Sequence, residues 1–533
     1  MTIIITFNLN RGATSRLTYG KNRGSMLDER RFKRLGYKVS REIPNDLYSK
    51  EDLQMKRFNH QVRDIHKSSF HRVSRREFLG AITSLATFTV VPRRVLGGKG
   101  RIAASEKTTL GCIGMGGQGH IDLFNLLQYD EVQVVAVCDV HREGGGYISW
   151  DWMKGEEQRK GGREPARLKV NEHYAARKNA SSYQGCRAYA DYRELLERED
   201  VDAVVIATPD HVHAAITMAA IKRGKHVYCE KPLSYSVYEA RQVTEAARKA
   251  RVATQLGNQG QAGEEARLVQ EFILDGAIGP VHEVHVGLGK RFWDPPTWGS
   301  RPPETPPVPE GLDWDLWLGP APIRPYHPAY HPWRWRDWRD FGTSSLGDLG
   351  CHVLSTVFKA LKLTHPVSVE GECIELGPEI YPRTYRVRYE FPAREGMPPV
   401  SLTWHDGGYE PPRPKNLEPG RAVSGVVYIG EQGTLMGHRL VPESKMQSYG
   451  RPPKVLPRSP GQYKEWIDAC RGGVPAGSDF VRHSGLLTET PLLGNIAMRA
   501  GKKLYWDGPN MKITNDEAAN QYLHREYREG WIL

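Results

Sequence analysis

The sequence predicts an α/β protein: a first domain on a parallel, doubly wound sheet, then an α+β domain with an open, mostly antiparallel sheet. Three observations carry this. From Thr108 on, short apolar runs rich in Val, Ile and Ala alternate with amphipathic helical stretches. A glycine-rich turn joins the first such run to the first helix. Beyond about Leu233 the alternation gives way to helices, an aromatic tract and strand-like runs.

Residues 1–73 show no sustained hydrophobic period and are rich in Arg, Lys and Asn. They read as a basic leader without regular structure, or as an untranslated stretch ahead of a start at Met55, with Met26 as another candidate. The chain carries a net charge of +12, which first suggests a nucleic-acid or membrane partner. Residues 1–107 hold 23 Lys and Arg against 9 Asp and Glu, so the body that follows is close to neutral. That distribution argues against a nucleic-acid partner.

"SRREFLG" at Ser74–Gly80, followed by the apolar Ala81–Val91, has the pattern of a twin-arginine export signal. The apolar stretch is too short to span a bilayer. The signal region is expected to end near 106, with "IAAS" at Ile102–Ser105 offering a cleavage site. An exported, extracytoplasmic protein that uses the twin-arginine machinery is therefore the expectation. The seven cysteines form no CxxC pair, and no metal site is expected, although His327, His331 and His352 could supply imidazoles.

The first domain spans 107–232. Its strands are "TLGCIG", "EVQVVAVCDV", "DAVVIATP" and "KHVYCEKP", and the polar stretch 144–185 reads as an insertion. The second domain, 233–533, opens with "SVYEARQVTEAARKAR" and "EEARLVQEFILDG". It ends in strands such as "TYRVRYEF" and "PVSLTWHDG".

"GMGGQG" supplies Gly114, Gly116 and Gly119 between strand and helix, where backbone N–H groups meet a pyrophosphate. Asp139 closes the second strand, where a carboxylate binds the ribose 2′-OH and repels a 2′-phosphate. NAD is thus favoured over NADP, with Arg142 close by. Thr208, Pro209, Asp210, His211 and His213 end the next strand, and Glu230 and Lys231 the one after. Strand ends of an open parallel sheet line the ligand crevice.

In this order, the glycine motif, the terminal Asp, "ATPDHVHA" and "EKP" resemble the glucose–fructose oxidoreductase / inositol dehydrogenase (Gfo/Idh/MocA) family, from about Lys107 to the C-terminus. The resemblance implies a Rossmann domain, an α/β substrate domain that often forms an oligomer interface, and NAD(P)-dependent chemistry on sugar or cyclitol hydroxyls. It also implies a catalytic Lys231, with Asp348 and His352 of "GDLGCHVLS" as the helical acid–base pair; at i and i+4 they share one helical face. His352 would take the hydroxyl proton, Asp348 orient it or bind a hydroxyl, and Lys231 polarise the reacting oxygen.

Trp314–Asp340 is the densest aromatic tract. Tyr330, Trp333 and Arg334 are candidates for touching a carbohydrate, with core packing as the alternative for many of its rings. Asn258 and Gln259, after the strand "RVATQLG", could reach nicotinamide or sugar. The expected function is an exported NAD-dependent oxidoreductase of a sugar, cyclitol or glycoside hydroxyl, with its cofactor carried along tightly bound, and a homo-oligomer. Two other readings stand beside it: an NAD-dependent glycosidase working by transient oxidation and elimination, and a non-catalytic carbohydrate-binding protein.

Overall fold

The computed structural model describes residues 3–9, 13–19, 103, 106–147, 160–288, 299–374 and 377–533, the side chains of 3–19 and of Asp337 excepted. The twin-arginine stretch Ser74–Gly80 and the apolar Ala81–Val91 lie outside these residues. Two units divide the chain near residue 90. Within the first, β1 (Ile3–Leu9) pairs antiparallel with β2 (Ala13–Tyr19). Part of the leader expected to lack regular structure is thus a hairpin, as its β-branched "IIITF" favours.

The second unit opens with alternating strands and helices: β3 (Thr108–Ile113), α1 (Gly117–Leu126), β4 (Val132–Cys138), α2 (Arg163–Lys178) and β5 (Arg187–Tyr189). They continue as α3 (Tyr192–Leu196), β6 (Ala203–Ile206), α4 (Asp210–Lys222), β7 (His226–Glu230), α5 (Val237–Ala250) and β8 (Thr254–Gly257). The six strands pair in parallel in the order β5-β4-β3-β6-β7-β8. The switch in direction between β3 and β6 opens a crevice at the strand C-termini. Every residue of β6 is buried, as its uninterrupted apolar run requires. Cys112 and Cys138 are buried free thiols in β3 and β4.

Two boundaries differ from the sequence reading. The stretch 144–185 is not wholly an insertion, because it contains α2, the crossover between β4 and β5. Ala166, Val170 and Tyr174, spaced by four, form its buried apolar stripe, and most of the other residues are polar. The first domain also runs past 232 to β8, since α5 is the crossover from β7 to β8.

The second domain comprises α6 (Glu264–Leu274), β9 (Val281–Gly287), α7 (Trp314–Leu318), α8 (Ser344–Leu361), β10 (Ser368–Ile374), β11 (Thr384–Phe391), β12 (Val400–Asp406), β13 (Gly425–Gly430), β14 (Gly433–Met436) and β15 (Arg439–Val441). After them come α9 (Glu443–Tyr449), α10 (Gln462–Cys470), α11 (Gly485–Ala500), β16 (Leu504–Asp507) and β17 (Lys512–Ile513). The nine strands form one sheet, antiparallel except where β9 meets β12. Tyr385, Val387 and Tyr389 of β11 alternate inward in the same core as Leu354 of α8 and Leu493 of α11. Among the described residues, no helix is long and apolar enough to cross a membrane.

Candidate active site

A cavity of about 640 Å³ runs along the C-terminal edge of the parallel sheet and is walled on its far side by the second domain. That volume suits a ligand of cofactor size. One end is the glycine-rich turn. Gly114 sits at φ +87°, and a Cβ there would come within 2.6 Å of the Ala207 backbone. A Cβ on Gly119 would lie 1.9 Å from the Gly114 carbonyl oxygen, so the first turn of α1 packs directly on the loop. No side chain caps α1, which leaves its first N–H groups for an anion.

Asp139 is buried at the end of β4. Its Oδ2 accepts from the Met115 N–H at 2.6 Å and its Oδ1 from the His141 N–H at 2.7 Å. Burial pushes its carboxyl up to about 6. The acid is thus locked to the glycine-rich turn with one lone pair per oxygen left for a hydroxyl. Cradle and acid fit a dinucleotide.

Thr208 and Pro209 line the middle of the cavity. His213 does not line it. Its ring nitrogens face the carbonyls of Pro232, at 2.6 Å, and Thr208, at 2.7 Å, tying two strand-end loops together. Two carbonyls call for two N–H donors, which opposes the burial that pushes its pKa down to about 4. His211 also faces away, with Nε2 2.8 Å from the Trp317 carbonyl, and so anchors the aromatic tract.

Glu230 lines the cavity and accepts from Gln259 at 2.7 Å and Gln118 at 3.3 Å. Burial and the neighbouring Asp122 raise its pKa well above the carboxylate range. Gln259 itself lines the cavity, with its amide held by Glu230. Asn258 does not line it; its side chain is buried and donates to the Cys351 carbonyl at 3.2 Å.

At the other end Lys231 meets α8. Its Nζ donates to Asp348 Oδ1 at 2.7 Å, with the side chains only 13% and 6% exposed. Burial acts to raise the Asp348 carboxyl, but Lys231 and Arg336 outweigh it and hold the group below its ordinary value. Arg336 Nε lies 3.6 Å from the same oxygen. One turn along α8, His352 lines the cavity; burial and the Lys231 charge push it down to about 3. A neutral imidazole can accept a proton, so a base, a cation and a carboxylate converge on one wall. Asp210, also on the cavity, accepts from the Thr343 hydroxyl at 2.6 Å, and burial beside Asp348 raises it to about 7.

The aromatic tract divides. Trp333 lines the cavity. Tyr330 does not: it is 2% exposed and packs edge-on to Trp338 and Phe341 in a separate small core. A segment with few regular elements uses its own rings as interior. Arg334 is exposed on the outer side of a 3₁₀ turn and lies off the cavity, while Trp335 and Arg336 turn in. The sequence reading missed Arg336, whose guanidinium lies 3.9 Å from the Trp333 ring centre and 4.2 Å from that of Trp335. It also missed Tyr147 and named His331 only as a possible metal ligand; both are on the cavity wall. The Arg-Trp alternation "WRWR" carried the only signal for Arg336.

Comparison with known proteins matches residues 160–258 to an oxidoreductase family's NAD-binding Rossmann fold and residues 263–394 to the C-terminal alpha/beta domain of an oxidoreductase family. The glycine-rich turn precedes the first matched range. The chain is 31% identical to the 1,5-anhydro-D-fructose reductase of Ensifer adhaerens over 136 residues, 26% of this chain and 40% of that protein. It is 27% identical to the myo-inositol 2-dehydrogenase of Thermotoga maritima over 199 residues, 37% and 47% of the two chains. It is also 26% identical to the alpha-N-acetylgalactosaminidase of Shewanella oneidensis over 225 residues, 39% and 44%. The chain thus spans less than half the length of these relatives.

Proposed function

We propose that the chain moves hydride between a sugar, cyclitol or glycoside hydroxyl and a tightly held NAD; its matches to the NAD-binding Rossmann fold and the C-terminal alpha/beta domain of the Gfo/Idh/MocA oxidoreductase family support this reading. The observation that carries this is the Lys231–Asp348 pair beside neutral His352, facing the same cavity as the glycine-rich turn. Names of the relatives, a sugar reductase and an inositol dehydrogenase, support the substrate class.

NAD would rest on Gly114, Gly116 and Gly119 with its ribose at Asp139, and it supplies the hydride acceptor. Lys231 lowers the cost of negative charge on the substrate oxygen, and His352 takes the hydroxyl proton. Asp348 holds Lys231 in place and balances its charge. In the reverse direction His352 returns the proton. Asp139 favours NAD over NADP, since a 2′-phosphate would meet a buried carboxylate. Export by the twin-arginine route, which carries folded proteins, fits a cofactor acquired before transport and regenerated in place; it rests on Ser74–Gly80 alone. An assembly of identical subunits is part of this reading.

A redox-neutral variant shares the site: oxidation, elimination of an aglycone, then return of the hydride. The galactosaminidase relative favours it. The test is to purify the full chain, release and identify its nucleotide, and follow nicotinamide absorbance during addition of free sugars and glycosides. Net absorbance change with His352-dependent turnover is expected. Glycoside cleavage without net change would favour the variant. Unimpaired turnover in His352→Ala would defeat both.

A further inference from the structure

We propose that Tyr147 is a latch across the two domains that sets the rate at which a dinucleotide leaves the cleft. This rests on reading the cavity as a dinucleotide site. Tyr147 belongs to none of the motifs, yet it lines the cavity. Its ring lies against the glycine-rich turn: a Cβ on Gly116 would meet it at 3.0 Å, and one on Gly161 at 2.6 Å. The ring therefore roofs the loop on which a diphosphate would sit.

The hydroxyl joins two imidazoles. It lies 3.3 Å from His141 Nδ1 and 3.2 Å from His331 Nε2. His141 follows the ribose-binding Asp139, which accepts from its backbone N–H. His331 comes from the aromatic tract of the second domain and is 4% exposed. The two rings stand edge to face, 5.4 Å apart. Burial lowers both imidazoles, His331 to about 3, so both are neutral and one donates while the other accepts. A phenol hydroxyl can satisfy both at once.

Backbone bonds flank this bridge without covering the loop. The Arg142 N–H donates to the Gly311 carbonyl at 2.8 Å, and the Asp313 N–H to the Val140 carbonyl at 3.0 Å. The Pro332 ring lies beside Gly146, closing the gap next to Tyr147. A dinucleotide lying on the glycine-rich turn is thus covered by one domain's tyrosine held by the other domain's histidine. Its departure requires breaking that bridge.

Tyr147→Phe keeps the ring and removes both hydrogen bonds. The experiment uses the full chain with its co-purified nucleotide, chased with excess 3-acetylpyridine adenine dinucleotide. Tyr147→Phe should exchange about tenfold faster than the unaltered protein. His331→Leu should behave likewise, whereas His331→Gln, which keeps a polar partner, should stay within about twofold. An unchanged thermal midpoint separates a latch from general damage. Exchange in Tyr147→Phe at the unaltered rate overturns the latch alone. Purification of the unaltered protein without nucleotide overturns the reading of the cleft and the latch with it.

Discussion

Lys231 and Asp348, 117 residues apart, meet as a buried ion pair that spans the two domains. The lysine comes from a strand end of the parallel sheet and the aspartate from the helix backing the other sheet. Each domain supplies one partner of the pair, so neither alone holds it.

Lys231→Met is expected to lower kcat/KM by about 10²–10⁴-fold. Asp348 would keep Arg336, at 3.6 Å, as its remaining charged partner. Breaking a buried pair costs about 3–5 kcal/mol, and the retained arginine places this one at the low end. Thermal unfolding should show that loss, and Lys231→Met/Asp348→Leu should not regain activity. Recovery of turnover in the double variant would show that the pair serves only the fold.

Stability should fall as pH drops below about 6.5, and His331 is one identifiable cause. Its unfolded value is 6.5 and burial lowers the folded value to about 3. Between the two the unfolded state binds the extra proton, so this contribution is complete above 6.5 and is lost towards 3. The slope approaches 1.4 kcal/mol per pH unit for one such group. Urea unfolding at pH 7, 6 and 5 should therefore show a shallower decline in His331→Gln than in the unaltered protein.

Asp139→Ser should weaken NAD binding by about tenfold or more, the worth of a hydrogen bond to a charged group, and narrow its advantage over NADP. The carboxyl is pushed up to about 6 by burial, so it gains a proton as pH falls through that value. NADP should then gain on NAD between pH 7.5 and 5.5. Fluorescence titration of nucleotide-free protein at the two values reads both effects, and a pH-independent ratio would remove Asp139 from the selectivity.

Gly119→Ala should reduce nucleotide binding by at least about 100-fold or prevent folding, because its Cβ would fall 1.9 Å from a backbone oxygen that cannot move aside. Nucleotide content after purification and the circular dichroism spectrum separate the two outcomes.

What could be read in the sequence was what local rules impose. Gly114 and Gly119 are dictated by close backbone approach and Asp139 by strand register, whereas Asp348 and His352 are marked by the family resemblance, the helical repeat adding only that they share a face. Tyr330 was misplaced because an irregular tract has no period from which to tell an inward ring from one facing the cavity. Helix α2 was read as an insertion because its apolar stripe is one residue wide. Tyr147 and His331, 184 residues apart, meet only through tertiary packing, which no spacing rule reports.

Helix α10 packs its Tyr463, Trp466 and Ile467 into the same core as Leu110, Val134 and Tyr228 of the first sheet. The nucleotide half of the molecule is therefore finished by a segment synthesised some 200 residues after its last strand. During synthesis that half must wait, incomplete, until almost the whole chain is available. A fragment ending at β8 would emerge with an open apolar flank.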